Sequence, residues 1–141
     1  GAILSAVIAG RGYLKNVNCV DCITDSYGQK IENLRCDKTE KIITDYTSDL
    51  IKSMMCITNK SGTGTTAQIV VYGSGGKTGS AQTGWYVDGE NYQHGWFTGF
   101  FPEENPKFAL CVFVENGKSG SETAAPIFKN IGERIMELKR S

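Results

Sequence analysis

The order of local signals along this 141-residue chain predicts an α+β fold, an antiparallel sheet flanked by helices. Three observations carry that expectation. Residues 68 to 115 hold three runs of strand character, separated by the turn pair Asp88-Gly89 and by a connection bounded by Pro102 and Pro106. Ahead of them, Ile43, Tyr46, Leu50, Met54 and Ile57 recur at helical spacing. Behind them, Ile127, Phe128, Ile131, Ile135 and Leu138 share one face of a helix that opens at Ala125-Pro126, where proline suits the first turn.

Each element has a local reason. Residues 2 to 9 read as the end of a helix, stopped by Gly10 and Gly12. Two short strands follow near 17 to 24 and 29 to 34, joined by the turn Asp25-Ser26-Tyr27-Gly28. Asp37 precedes Glu40 by three residues, the spacing of a capping box. The helix behind it is expected to run to about Thr58 and to end in Asn59-Lys60-Ser61-Gly62. Gly62-Thr63-Gly64-Thr65 then reads as a flexible joint. The strands are expected at 68 to 86, with a break at the glycines, at 92 to 100 and at 107 to 115. One domain is expected, with a helix, small hairpin and helix over 1 to 60 and the three strands and last helix over 61 to 141.

Composition narrows the function classes. Fifteen basic and fifteen acidic residues balance, which argues against a nucleic-acid surface or a basic membrane patch. A content of 40% apolar residues with 17 glycines describes a folded, turn-rich protein. No apolar run approaches the roughly 18 to 20 residues that span a bilayer. The apolar start, residues 1 to 10, lacks a basic leader and is too short for a signal segment. It also lacks an initial methionine, so the chain is expected to come from something longer.

Five cysteines, at 19, 22, 36, 56 and 111, do not make a disulfide framework. Cys19-Val20-Asp21-Cys22 has the spacing of half a zinc knuckle, but in a strand residues three apart face opposite sides. No second pair or placed histidine completes four ligands, so packing cysteines are expected and no metal. The only histidine, His94, lies between Tyr92 and Trp96 in a strand-like run and is expected to be structural or exposed.

The richest chemistry sits at Gly76-Lys77-Thr78-Gly79-Ser80-Ala81-Gln82, after the apolar run Ile69-Val70-Val71-Tyr72. A lysine, two hydroxyls and a glycine there make a strand edge able to hold a carboxylate while a peptide backbone lies alongside. Gly73-Ser74-Gly75-Gly76-Lys77-Thr78 also ends like a phosphate loop. The full pattern needs glycine at the position of Val71 and a helix immediately after, and neither is present.

Beyond the tripeptide, order matters. Gly62-Thr63-Gly64-Thr65-Thr66-Ala67 precedes Lys77-Thr78-Gly79-Ser80; His94-Gly95-Trp96-Phe97-Thr98-Gly99-Phe100, Asn105-Pro106-Lys107-Phe108-Ala109-Leu110, Val114-Glu115-Asn116-Gly117 and Ala124-Ala125-Pro126-Ile127-Phe128 follow. As a set this closely resembles the C-terminal part of class B penicillin-binding proteins, the D,D-transpeptidases that cross-link peptidoglycan. The similarity runs through the whole chain and is densest from Gly62 to Ile131. It implies the C-terminal portion of the penicillin-binding protein and serine β-lactamase-like fold.

The resemblance also implies roles. Lys77 would direct positive charge to the carboxylate of a substrate or penicillin and tune the proton network. Thr78 and Ser80 would hydrogen-bond that carboxylate, Gly79 would admit the donor peptide, and the Ser80 backbone N–H would serve as an oxyanion donor. No cofactor is implied. The partners would be the D-Ala-D-Ala stem peptide and β-lactams, bound through an intact parent on the extracytoplasmic face of the membrane and anchored by a segment absent from this chain.

The family also needs S-x-x-K and S-x-N. The only S-x-x-K string, Ser74-Gly75-Gly76-Lys77, cannot plausibly open a helix, and S-x-N does not occur. The chain is therefore expected to be inert alone, with the nucleophile in the missing N-terminal part of the same domain. Without that part, the strand at 107 to 115 and the final helix are expected to leave an edge and an apolar face open to self-association. The alternatives are a non-catalytic module that binds cell-wall peptides and, further off, a nucleotide-binding loop.

Overall fold

The computed structural model describes residues 1–34, 38–87 and 89–140. Helix α1 (Ala2–Ala9) leads into strand β1 (Tyr13–Lys15), then β2 (Cys22–Thr24), β3 (Lys30–Asn33) and β4 (Thr39–Lys41). Helix α2 (Asp45–Ser61) and a 3-10 turn (Thr65–Ala67) follow. The long strands β5 (Gly75–Val87), β6 (Glu90–Phe101) and β7 (Phe108–Val114) precede a π-helical turn (Gly120–Ala124) and helix α3 (Ala125–Leu138).

The three long strands form one antiparallel sheet in the order β5-β6-β7. Its register pairs Gly76 with Gly99, Lys77 with Thr98 and Gly79 with Trp96, then Thr98 with Cys111 across β6 and β7. Alternation sends Phe97, Phe101 and Val112 to one face, where Phe128 of α3 fills the space between them. Phe97 and Phe128 lie 4.7 Å apart between ring centroids, and Phe101 meets Phe128 edge-on at 5.6 Å. Each buried phenylalanine contributes roughly 1.5–3 kcal/mol from area alone.

On the opposite face, Phe100 packs with Ile8 of α1 and with Met55 and Cys56 of α2. Hydroxyls tie the two helices down. Ser5 bonds Thr98 of the sheet at 2.8 Å, and Ser48 donates to the Ile8 carbonyl at 2.6 Å. Burial pushes the Cys56 thiol above its ordinary value, with Glu103 adding to the rise. The sheet is therefore a middle layer between α3 and the α1–α2 pair.

Several expectations need correction. Glu40 lies in β4, paired with Leu14, and α2 starts later, capped by Thr44, whose side chain accepts from the Thr47 N–H. Asp37, the other half of the expected capping box, lies outside the described residues, as do Cys36 and Asp88 of the expected turn. Tyr46, Leu50, Met54 and Ile57 face solvent; α2 buries Ser48, Met55, Cys56 and Asn59 instead. On α3 the buried set is Ala125, Phe128 and Gly132, while Ile127, Ile131 and Leu138 are exposed.

The apolar run Ile69 to Tyr72 is no strand. Gly73 N–H bonds back to the Ile69 carbonyl at 2.7 Å, closing a turn. Ile69 is fully buried because its side chain enters the notch at Gly132, where an added Cβ would stand 2.4 Å from its Cδ1. Helix α1 ends at Gly10, but the left-handed residues are Arg11 and Gly12. Gly12 is required there, since a Cβ would come 2.1 Å from the Ile43 carbonyl oxygen.

The small hairpin is larger than expected. β1 pairs with β4, and β2 with β3, as two separate short ladders, and only the β2–β3 ladder had a sequence signal. Strand β2 begins at Cys22, and Cys19 lies outside it, so the opposite-faces argument does not apply to that pair. Among the described residues no helix is long and apolar enough to cross a membrane.

Candidate functional site

Strand β5 is an outer strand of its sheet, and the Lys77–Ser80 segment lies along it. Its first two residues are locked by packing. A Cβ at Gly75 would stand 2.4 Å from the Phe100 ring, and one at Gly76 would stand 2.3 Å from the Phe97 ring. Bare backbone is needed there for the two phenylalanines to close over the strand.

Lys77 is exposed and shares the face of Phe100 by alternation. Its ammonium donates to the Thr78 carbonyl at 2.8 Å and reaches the Thr78 hydroxyl at 3.3 Å. No carboxylate lies within salt-bridge distance of Lys77 among the described residues, in contrast to Lys60, which Glu103 holds at 2.6 Å. The hydrogen bond that Lys60 donates to the Glu103 carboxylate raises the affinity of Lys60 for its proton. The positive charge at Lys77 is thus held in place by neutral oxygens and stays available to an anion.

The Thr78 hydroxyl has a second partner, Thr63 Oγ1, at 3.0 Å. Ser80 is exposed, and its hydroxyl accepts from the Gly120 N–H at 3.4 Å. Gly79 differs from the glycines before it: a Cβ there would touch only the Trp96 Cβ, at 3.4 Å. Internal packing makes little demand for glycine at that position, and the strand is open above it.

Two loops back this segment. The Gly62–Thr65 turn follows α2, and the π-helical turn follows Ser119, whose hydroxyl accepts from the Glu122 N–H. They meet where the Thr66 hydroxyl donates to the Ser121 carbonyl at 2.7 Å. Gly120 presses against the sheet so closely that a Cβ would come 2.2 Å from the Trp96 oxygen and 2.6 Å from the Gly79 oxygen. The first loop rests on Asn59, which is buried and donates from Nδ2 to Ser74 Oγ at 2.9 Å.

Ser74 opens the only S-x-x-K string, and its surroundings exclude it as a nucleophile. Its hydroxyl donates to the Ala67 carbonyl at 3.0 Å and accepts from Asn59 and from the Ile69 N–H. One donor and two acceptor sites are all a serine hydroxyl has, so Ser74 is saturated and fully buried. Asn59 Oδ1, by contrast, is buried with no hydrogen-bond partner among the described residues.

His94 is packed. Its Nδ1 accepts from the Asn116 N–H at 3.3 Å, and its ring meets Tyr92 and Phe113 edge-on. Among the described residues no group of three or more histidines, cysteines or carboxylates is arranged to hold a metal. Sequence reasoning assigned no part to Thr63 or Gly120. Thr63 stood in the quoted Gly-Thr-Gly run, whereas Gly120 had no signal of its own, because its neighbours come from β5 and β6.

A family model described as the penicillin binding protein transpeptidase domain matches residues 2–133. The probable peptidoglycan D,D-transpeptidase PenA of Neisseria flavescens is 32% identical over 102 residues, covering 67% of this chain and 25% of that protein. The D,D-transpeptidase domain of a peptidoglycan glycosyltransferase from Eggerthella lenta superposes with a TM-score of 0.82 at 24% identity, over 98% of this chain and 31% of that one. Penicillin-binding protein A from M. tuberculosis, solved as an imipenem acyl-enzyme complex, gives 0.76 at 22% identity, over 95% and 29%. The chain therefore spans about a quarter to a third of these three proteins. At those identities the structural likeness speaks for the fold alone, and it is the α+β arrangement expected from the sequence.

Proposed function

The chain belongs to the penicillin-binding protein transpeptidase family, and on that premise we propose that it forms the K-T-G wall of a serine D,D-transpeptidase active site. The observation that carries the reading is the open stretch of β5. There an exposed ammonium is braced by neutral oxygens beside two hydroxyls and a glycine that internal packing scarcely requires.

In this reading the carboxylate of a D-Ala-D-Ala stem peptide or a β-lactam docks on Lys77, with Thr78 and Ser80 donating hydrogen bonds. The donor peptide lies along the strand edge, and Gly79 lets its backbone approach. The Ser80 backbone N–H stabilises the oxyanion as an acyl-enzyme forms on a serine outside these residues; losing such a donor typically slows the reaction on the order of 10²–10³-fold. Lys77 also lowers the cost of moving the nucleophile's proton, through its charge. The chain is inert alone and works at the extracytoplasmic face of the membrane as one partial transpeptidase domain. Its 1–60 portion supports the wall, and its 61–141 portion supplies it.

Acylation by benzylpenicillin, followed by intact mass, tests this in the full-length protein and in Gly1–Ser141 alone. The expected result is an adduct on the full-length protein only, lost or strongly slowed by Lys77→Ala. An adduct on the short chain would overturn its inertness, and no adduct on either would overturn the transpeptidase reading. Saturable D-Ala-D-Ala peptide binding without any adduct would leave a cell-wall peptide-binding module in its place.

A further inference from the structure

We propose that Thr63 is a positioning residue for the ligand carboxylate, because its hydroxyl makes the Thr78 hydroxyl donate outward. This rests on the reading of Lys77 to Ser80 given above.

The orientation of the Thr78 hydroxyl is set by how many protons and acceptor sites meet there. An ammonium has three protons and no acceptor site, and a hydroxyl has one proton and two acceptor sites. Lys77 spends one proton on the Thr78 carbonyl, at 2.8 Å, and aims another at the Thr78 hydroxyl oxygen, at 3.3 Å. Thr63 and Thr78, with hydroxyl oxygens 3.0 Å apart, share one of their two protons. When Thr63 is the donor, both acceptor sites of Thr78 are filled, by Lys77 and by Thr63. The Thr78 proton then has nowhere to go except outward, beside the third Lys77 proton. An arriving anion selects this arrangement, since two aligned donors, one of them charged, meet its oxygens. Without Thr63 the Thr78 hydroxyl keeps a vacant acceptor site and turns freely.

Thr63 can play this part because its loop is anchored on both sides. The N–H groups of Gly62 and Gly64 both bond to the Thr58 carbonyl at the end of α2, at 3.0 and 3.1 Å. Gly64 is packed against Asn59, where a Cβ would stand 2.4 Å from Oδ1. Asn59 is itself fixed to Ser74, one residue before β5 begins. The loop and the strand are therefore held in one frame, and the two hydroxyls meet without a mobile element between them.

The test compares acylation of the full-length protein by benzylpenicillin and by its carboxyl methyl ester, in Thr63→Val, Thr63→Ser, Thr78→Val and Lys77→Ala. Thr63→Val is expected to slow the free acid about tenfold, as the loss of one charge-assisted hydrogen bond would. It should leave the ester within about twofold of the parent rate, and Thr63→Ser should restore the acid, because the ester lacks the anion and serine keeps the donor. Thr63→Ala replaces the valine variant should that one fail to fold. Equal slowing of acid and ester would make Thr63 merely structural and overturn the proposal. An unchanged acid rate in Thr63→Val, with Thr78→Val slowed, would overturn it while sparing the reading of the strand. Unchanged rates in both Thr78→Val and Lys77→Ala would bring down that reading and this inference with it.

Discussion

At Gly75 and Gly76 an added methyl group would enter the Phe100 and Phe97 rings, whereas three residues further along β5, at Gly79, it would meet only the Trp96 Cβ at the edge of ordinary contact. One strand thus carries glycines for two different reasons. The root of β5 lies between two packed layers, and glycine there lets phenylalanines from β6 close over the backbone. The far end is open on the face it shares with Lys77, where only the Trp96 Cβ among the described residues comes near. Glycines that look alike in a sequence are separable by what a side chain would touch. Gly28, Gly84 and Gly89, which touch nothing, sit at positive φ, whereas Gly79 has neither a positive φ nor a close neighbour to require it.

Substitutions at these glycines, and at Gly120 packed against Gly79, sharpen or break that contrast. The largest effect is expected for Gly120→Ala, since its Cβ would meet the Trp96 and Gly79 backbone oxygens, and backbone atoms cannot rotate away. Overpacking typically costs about 1–3 kcal/mol, and this variant should fall at or beyond the top of that range in urea unfolding. Gly76→Ala should cost less, within roughly 1–3 kcal/mol, because the Phe97 ring can tilt, although the Thr98 oxygen at 2.9 Å limits the relief. Equal unfolding midpoints for Gly76→Ala and the parent would refute the packing account of the root.

Gly79→Ala should reverse the pattern. Its unfolding free energy is expected within about 0.5 kcal/mol of the parent. Its penicillin acylation, in the full-length protein, should fall by roughly tenfold to a hundredfold, as an ångström of displaced ligand would produce. A destabilised Gly79→Ala with normal acylation would erase the distinction between the two ends.

The smallest effect concerns pH at the root. Burial beside Phe100 raises the Cys56 thiol, so the folded chain holds that proton more tightly than the unfolded chain does. The associated stability is fully present below the unfolded thiol value and fades as the pH rises through the folded one. Accordingly, iodoacetamide should modify Cys56 in the native chain more slowly than in the denatured chain, with the native rate rising only at higher pH. Equal rate profiles in both states would mean that the root is wet.

Much of the sheet was legible because its signals are local. Residues 90 to 101 and 108 to 114 are strand-like runs rich in aromatic and apolar residues, set off by the glycine turn before them and by Pro102 and Pro106 between them, and they form β6 and β7 close to the expected limits. The helix opening at Ala125-Pro126 was equally readable from its proline. The Lys77–Ser80 segment was found from its residue types, and the structure puts it on a strand. Its hydrogen-bond partners were not legible. Thr63 and Gly120 reach it from loops far away in sequence, and no spacing rule connects residues that meet only after folding.

What the sequence determined by itself was the order of the three long strands, the β2–β3 and β5–β6 hairpins, the final helix and the residue types carried by one strand, since apolar runs and turn residues act within a few positions. The tertiary structure decided which apolar residues are core. Tyr46, Leu50, Met54 and Ile57 make a regular stripe on α2 yet face solvent, while Met55 and Cys56 beside them go inside. Ile69 ends in a turn because Gly132 of α3 offers it a notch. A periodic pattern states that a face is apolar, but burial depends on which surface arrives to cover it, and that is settled by contacts between distant parts of the chain.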